Sequence, residues 1–296
     1  MAESVLDIKR HIKSIEGTEH ITKAMKLVSA AKFKKAKDKF DSSSVHLGNI
    51  RGAIEEIVMD GGEFPEKYFK TEEQMKHTCY VVVSGNKGLC GAFNANLLKF
   101  ADEFIKEHTA QLNTTPHILA VGSKADNFFT ARGVAITEKY DFNIEGITFP
   151  HIKMICGPMF ELFSRGEVDE VYVIYTKFIN SLNLQPVAVK IFPIMEPIKT
   201  DNYNYEFEFS DSPETEKAAK EKMLDYLVPK YLEMSLYKAV IESSASEHIA
   251  RRNAMDTATD NAGEMLKALN LRYNRARQAG ITNELIEIVS GAEALK

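Results

Sequence analysis

Apolar residues at Val5, Ile8, Ile12 and Ile15 follow a 3-4-3 spacing, the pattern of a helix seam that packs against a partner helix. The spacing slips at 17–20 and resumes at Ile21, Met25 and Val28, which predicts a local change of supercoil. No proline interrupts residues 1–59. After Pro229 the same rhythm returns at Met255, Ala258, Ala262, Met265, Leu269, Tyr273 and Ala276, with alanines at 254, 258, 262 and 276 that let two helices approach closely. Pro229 itself should mark a kink or the first turn of this last helix. At a rise of 1.5 Å per residue, a helix over 1–59 reaches up to about 85 Å, and one over 230–290 a similar length. Such helices cannot bury their whole surface in one small domain, so the two seams should zip together and the remainder should meet another protein or water.

Between about 78 and 198 the hydrophobic period becomes strand-like, and strand and helix candidates alternate. Strands are expected at 79–84, 117–121, 135–140, 171–177 and 186–194, each rich in β-branched or aromatic residues. Helices fit between them at 94–109, 124–131 and 152–163. The expectation is a small open Rossmann-like α/β sheet at 76–200, inserted between a coiled-coil helix at 1–60 and a helical region at 213–296 that completes the coil.

Composition narrows the function. With 44% hydrophobic and 27% charged residues in 296, the chain can fill one sizeable core and still coat long helices. A net charge of -5 argues against a bulk nucleic-acid binder, although Lys32, Lys34, Lys35, Lys37 and Lys39 crowd one basic stretch and 201–221 is mostly acidic. No run approaches the roughly 18 apolar residues of a membrane span, and no signal or transit peptide is expected. Cys79, Cys90 and Cys156 lack any CxxC pairing and read as small buried thiols; the eight histidines show no metal-ligand spacing.

The turn Ser84-Gly85-Asn86-Lys87-Gly88-Leu89-Cys90-Gly91 invites comparison with phosphate-binding loops. A P-loop needs Ser or Thr directly after its lysine, where this chain has Gly88, and a dinucleotide fingerprint needs GxGxxG rather than glycines at 85, 88 and 91. The glycines read instead as a tight strand-to-helix turn. Ser84 has no nucleophile-elbow context, so no catalytic set, cofactor site or metal site is assigned. Two other readings stand beside an interaction protein: an α/β enzyme binding a nucleotide or metabolite, with a coiled-coil dimerisation arm, and a passive coiled-coil tether. At the C-terminus, Leu285, Ile286, Ile288 and Val289 follow Arg272, Arg275 and Arg277, an apolar tip with a basic collar of the kind that is inserted into a partner or docks on its own chain.

Residues 21–28, Ile-Thr-Lys-Ala-Met-Lys-Leu-Val, resemble the N-terminal signature of the F-type ATP synthase gamma subunit family. Ala245-Ser246-Glu247-His248-Ile249-Ala250-Arg251, Ala254-Met255, Ala258-Thr259-Asp260-Asn261-Ala262, Tyr273-Asn274-Arg275-Ala276-Arg277-Gln278 and the stretch 284–292 resemble it too, as do Gly88-Leu89-Cys90-Gly91, Gly122-Ser123-Lys124 and Lys177-Phe178-Ile179-Asn180. The resemblance runs from end to end. It implies a noncatalytic rotor: an antiparallel coiled coil of both termini inside a hexamer of alpha and beta subunits that holds the catalytic sites, coupling ion flow through the membrane sector to ATP synthesis or hydrolysis. It implies further that Lys23, Met25, Lys26, Arg251, Arg277, Gln278, Thr282 and Glu284 meet the hexamer, where Met25 and its lysines face acidic loops. Leu285, Ile286, Ile288 and Val289 would form an apolar bearing, and Tyr205, Phe207 and Phe209 a foot on the membrane c-ring beside the epsilon subunit. Phe209-Ser210-Asp211 stands where an aromatic-Glu-Pro step is common in the family. The implied setting is the cytoplasmic face of a bacterial cell membrane, held peripherally.

Overall fold

The computed structural model describes residues 4–59, 77–112, 114–193 and 213–294. In chain order come helix α1 (Val5–Met59), strand β1 (Thr78–Val83), helix α2 (Phe93–Leu112), strand β2 (His117–Val121), helix α3 (Ser123–Ala131), strand β3 (Glu138–Tyr140), helix α4 (Phe149–Ser164), strands β4 (Glu170–Phe178) and β5 (Leu184–Phe192), and helix α5 (Pro213–Ala294). The chain divides into two units, Met1–Ala30 with Arg251–Lys296, and Ala31–Ala250. That division cuts both long helices, so residues 31–59 and 213–250 belong with the sheet.

In the larger unit the strand order is β3-β2-β1-β4-β5. The first four strands in this order are parallel, and β5 runs antiparallel to β4. Every residue of β1 is buried, as expected for a central parallel strand covered on both faces. The two-residue period sorts its side chains: Cys79, Val81 and Val83 point to one apolar layer with Leu119, Val121, Val171 and Val173, while Tyr80 and Val82 point to the other with Ile118, Ala120 and Ile174. The second layer is closed by α2 and α3 through Leu97, Ala101, Ile105, Ala125 and Phe129. The first is closed by α4 together with α1 and α5, through Ile54, Ile57, Ile152, Ile155, Leu224, Leu232, Leu236 and Val240.

Strand–helix alternation stops at β4. A short turn, in which the Asn180 side chain accepts the amides of Leu182 and Asn183, returns the chain directly as β5. Pro186 is tolerated in β5 because this is an edge strand, where a missing ladder donor is harmless. β3 is shorter than expected: Glu138–Tyr140 register against Leu119–Val121 of β2, and just before them the Thr137 amide donates to the Ile118 carbonyl at 2.8 Å.

Ser4 starts α1: its hydroxyl accepts the Asp7 amide at 3.2 Å and donates to the Asp7 carboxylate at 2.7 Å. The expectation for Pro229 as a first-turn residue is corrected, since α5 begins at Pro213 and Pro229 lies inside it. Proline at a helix start is favoured because its fixed φ suits the turn and its missing donor is unpaired there anyway. Among the described residues no helix is long and apolar enough to cross a membrane.

Candidate functional site

In the smaller unit α1 and α5 pair antiparallel. Thr22 meets Thr259, their hydroxyls 2.8 Å apart, and Lys26 pairs with Asp256, so numbers rise along one helix as they fall along the other. On α1 the seam reads Val5, Ile8, Ile12, Ile15, Glu19, Thr22, Lys26, Ser29, an unbroken 3-4 alternation of buried and half-buried residues. The expected slip at 17–20 therefore does not occur. Ile21 and Val28 are 62% and 53% exposed, whereas Thr22 and Ser29 are 8% and 3% exposed. Hydrophobicity alone favours burying Ile21 and Val28, whereas the register of the helix pair buries Thr22 and Ser29. On α5 Met255, Ala262 and Leu269 are buried and Ala258, Tyr273 and Ala276 half-buried, as expected, but Leu266 replaces Met265, which is 48% exposed.

Carrying the register onward sets Val5 opposite about Ala276, and every residue of 281–292 is exposed. Beyond the seam α5 thus continues for roughly 27 Å without α1 beside it. On this end Leu285, Ile286, Ile288 and Val289 are between 57% and 68% exposed, so of the two readings of the tip, docking on its own chain is not observed among the described residues. Arg277, Gln278 and Glu284 are exposed beside it, and Thr282 donates its hydroxyl to the Gln278 carbonyl at 2.9 Å. The other expected contact residues lie elsewhere. Lys23 is exposed, Met25 is half-buried beside the seam, Lys26 is half-buried in it, and Arg251 is buried. Arg251 and Arg277 are about 39 Å apart along α5, so these residues form two groups rather than one. Tyr205, Phe207 and Phe209 lie outside the described residues. The outward apolar residues Ile21, Leu27 and Val28 were missed as surface residues; their clash with a strict heptad was the available signal.

The carboxyl ends of β1 and β4 form the switch point of the sheet, where open α/β sheets accept ligands. Here α5 itself fills that place. The Phe178 amide donates to Glu242 Oε1 at 3.2 Å, and the Glu247 carboxylate covers Gly85, where an added Cβ would stand 2.8 Å from Glu247 Oε2 and 3.2 Å from Asn94 Oδ1. Gly85 lets these two side chains come close and is not in a left-handed turn; within the loop the positive φ values belong to Leu89 and Gly91. A phosphate over this turn would meet a carboxylate, which repels it. Ser84 is structural: its hydroxyl accepts the Ala125 amide at 2.8 Å at the start of α3. Among the described residues no group of His, Cys, Asp or Glu is arranged to hold a metal ion.

Burial holds the Glu242 carboxyl above its ordinary 4.5, against hydrogen bonds from Tyr175 and the Phe178 amide that favour the ionised form. The folded state then keeps this proton longer than the unfolded one, so Glu242 costs stability as pH rises above about 4.5. Glu242→Gln, which can still accept the Phe178 amide, is expected to raise the urea midpoint at pH 7, with the advantage shrinking towards pH 4. An equal gain at both pH values would show that ionisation of Glu242 is not the cause.

Residues 4–295 match a protein-family model described as ATP synthase. The chain is 38% identical over 296 residues to the ATP synthase gamma chain of Alkaliphilus metalliredigens, covering all of both chains. It is 38% identical over 293 residues to that of Pelotomaculum thermopropionicum, covering 99% of each. The fold is similar to a chain in the cryo-EM structure of the Euglena gracilis mitochondrial ATP synthase rotor, with TM-score 0.65 and 16% identity over 94% of this chain and 98% of that one. A chain of the Tetrahymena thermophila mitochondrial ATP synthase central stalk and c-ring matches with TM-score 0.55 and 23% identity over 80% and 99%.

Proposed function

The chain belongs to the ATP synthase gamma-chain family, and on that premise we propose that it is the central-stalk rotor of an F-type ATP synthase. In this reading the coiled coil of α1 and α5 turns inside a hexamer of alpha and beta subunits. The hexamer carries the catalytic sites, and this chain carries none. The segments 1–60, 76–200 and 213–296 serve as first shaft strand, α/β domain and second shaft strand. The epsilon subunit and the membrane c-ring are the partners at the foot, where Tyr205, Phe207 and Phe209 make the ring contact. The complex lies on the cytoplasmic face of a bacterial membrane, with this chain held peripherally.

The observation that carries this reading is the bare end of α5, whose four apolar side chains are more than half exposed. An isolated protein gains nothing from such a tip; a shaft in an apolar sleeve does. Hydrophobic contact is non-directional, so Leu285, Ile286, Ile288 and Val289 can turn without breaking fixed polar bonds at each step. An asymmetric shaft contacts each surrounding subunit differently, and that difference shifts each nucleotide site among conformations of unequal affinity. Lys23, Met25, Arg251, Arg277, Gln278, Thr282 and Glu284 are the residues proposed to transmit this, with Arg251 acting from a buried position.

Co-expression with alpha and beta subunits tests the reading. One copy of this chain per hexamer, with ATPase activity in the complex and none in the chain alone, is expected; failure to join the hexamer contradicts it. Within that complex, Gln278→Ala should leave assembly intact and lower turnover by about fivefold, the lower end of typical coupling energies. Unchanged turnover would remove Gln278 from the coupling set.

A further inference from the structure

Between residues 19 and 29, α1 carries two stripes that could each serve as a seam. Ile21, Met25 and Val28 make an apolar one, and Glu19, Thr22, Lys26 and Ser29 a polar one, displaced by one residue or about 100° around the helix. Hydrophobic burial alone selects the apolar stripe. The structure selects the polar one, with Thr22 and Ser29 buried and Ile21, Leu27 and Val28 outside.

We infer that the cross-helix pairs Lys26–Asp256 and Thr22–Thr259 are positioning contacts that fix the rotation of α1 about its axis, so that Ile21, Leu27 and Val28 face outward to the subunits enclosing the shaft. This inference rests on the proposed rotor function. Polar residues at seam positions set register in coiled coils at some cost in stability. The ion pair fits that role: its side chains are 34% and 43% exposed, so it adds little stability, yet it links positions 230 residues apart. Thr22 is doubly held, donating to the Glu19 carbonyl at 3.0 Å and meeting Thr259. Turning α1 to bury Ile21 and Val28 breaks both cross-helix pairs. The outward stripe, with exposed Lys23 beside it, suits an enclosing surface that is apolar with acidic groups next to it. Lys26 is thereby reassigned. The family resemblance implies that it touches acidic loops of the partner, whereas its partner here is Asp256 of its own chain.

Exchanging the charges separates the two roles. Lys26→Asp alone should lower ATPase activity of the assembled complex by about tenfold, because two carboxylates then face each other in the seam. Adding Asp256→Lys should restore it to within about twofold. A direct contact from Lys26 to an acidic partner would be damaged by the reversal and not rescued by the second change, and that result overturns the proposal. Oxidative cross-linking of the full-length chain gives a readout independent of the partners. Thr22→Cys with Thr259→Cys should link efficiently and Ile21→Cys with Thr259→Cys poorly. The preference should reverse or vanish with Lys26→Asp and return with the double exchange. If cross-linking ignores the charge changes, the pair does not set the rotation. Loss of assembly by the unsubstituted chain would instead count against the rotor reading and leave the cross-links to decide the register.

Discussion

Gly122→Ala lowers the stability of the α/β unit by about 4 kcal/mol, an exceptional loss for a single methyl group. Two effects add. Gly122 has φ +91°, a conformation that costs an L-residue on the order of 1–2 kcal/mol, and its added Cβ would lie 2.2 Å from the Ser84 carbonyl oxygen. That contact cannot relax cheaply. The Gly122 amide donates to the Tyr140 carbonyl at 2.8 Å, and the Ser84 amide donates to the Val121 carbonyl at 2.8 Å, so the backbone is fixed on both sides of the clash. Gly133 supplies the control, because it has φ +69° and nothing within 4 Å of a new Cβ. Gly133→Ala should therefore cost only the conformational part, about 1–2 kcal/mol. Urea denaturation of both variants reads the difference, and equal losses would mean that the approach of Ser84 to Gly122 is not rigid.

The second large effect concerns association and not folding. Replacing Leu285, Ile286, Ile288 and Val289 together by aspartate should leave the chain's own urea midpoint nearly unchanged, since all four side chains are already more than half exposed. Capture by the alpha and beta subunits should weaken by about 100-fold or more. Fully burying one such side chain is worth about 1.5–3 kcal/mol, and a tenfold change in affinity is about 1.4 kcal/mol, so two well-seated residues suffice. Aspartates entering an apolar sleeve add a desolvation cost. Quantitative pull-down of the variant against the unsubstituted chain measures this. Equal capture would show that the tip is not a bearing.

The sheet and its helices were legible in the sequence because β-branched runs such as Cys79–Val83 and Val171–Thr176 are apolar on both faces, and only a central strand with two covered sides accommodates that. The tip was only half legible: its apolar residues stood out, but the sequence left open whether they dock on their own chain, and their exposure comes from the structure. The middle of the seam was not. There the apolar pattern pointed to Ile21 and Val28, while the cross-helix pairs Thr22–Thr259 and Lys26–Asp256 depend on residues more than 200 positions away. Local periodicity holds no record of such partners. Gly85 was hidden likewise: the groups that crowd it are the Glu247 and Asn94 side chains, although the turn alone suggested a backbone requirement. Arg251 looks like a contact residue by type, and its burial follows from tertiary packing that a linear reading does not contain.

The most direct test of the rotor claim is to immobilise the alpha/beta hexamer, attach a bead to an exposed site on this chain, and watch it under the microscope as ATP is added. A rotor turns the bead in a single direction and stops when ATP is removed. ATP hydrolysis by the assembled complex with the bead stationary would contradict it, because the chain would then be a bound but passive tether.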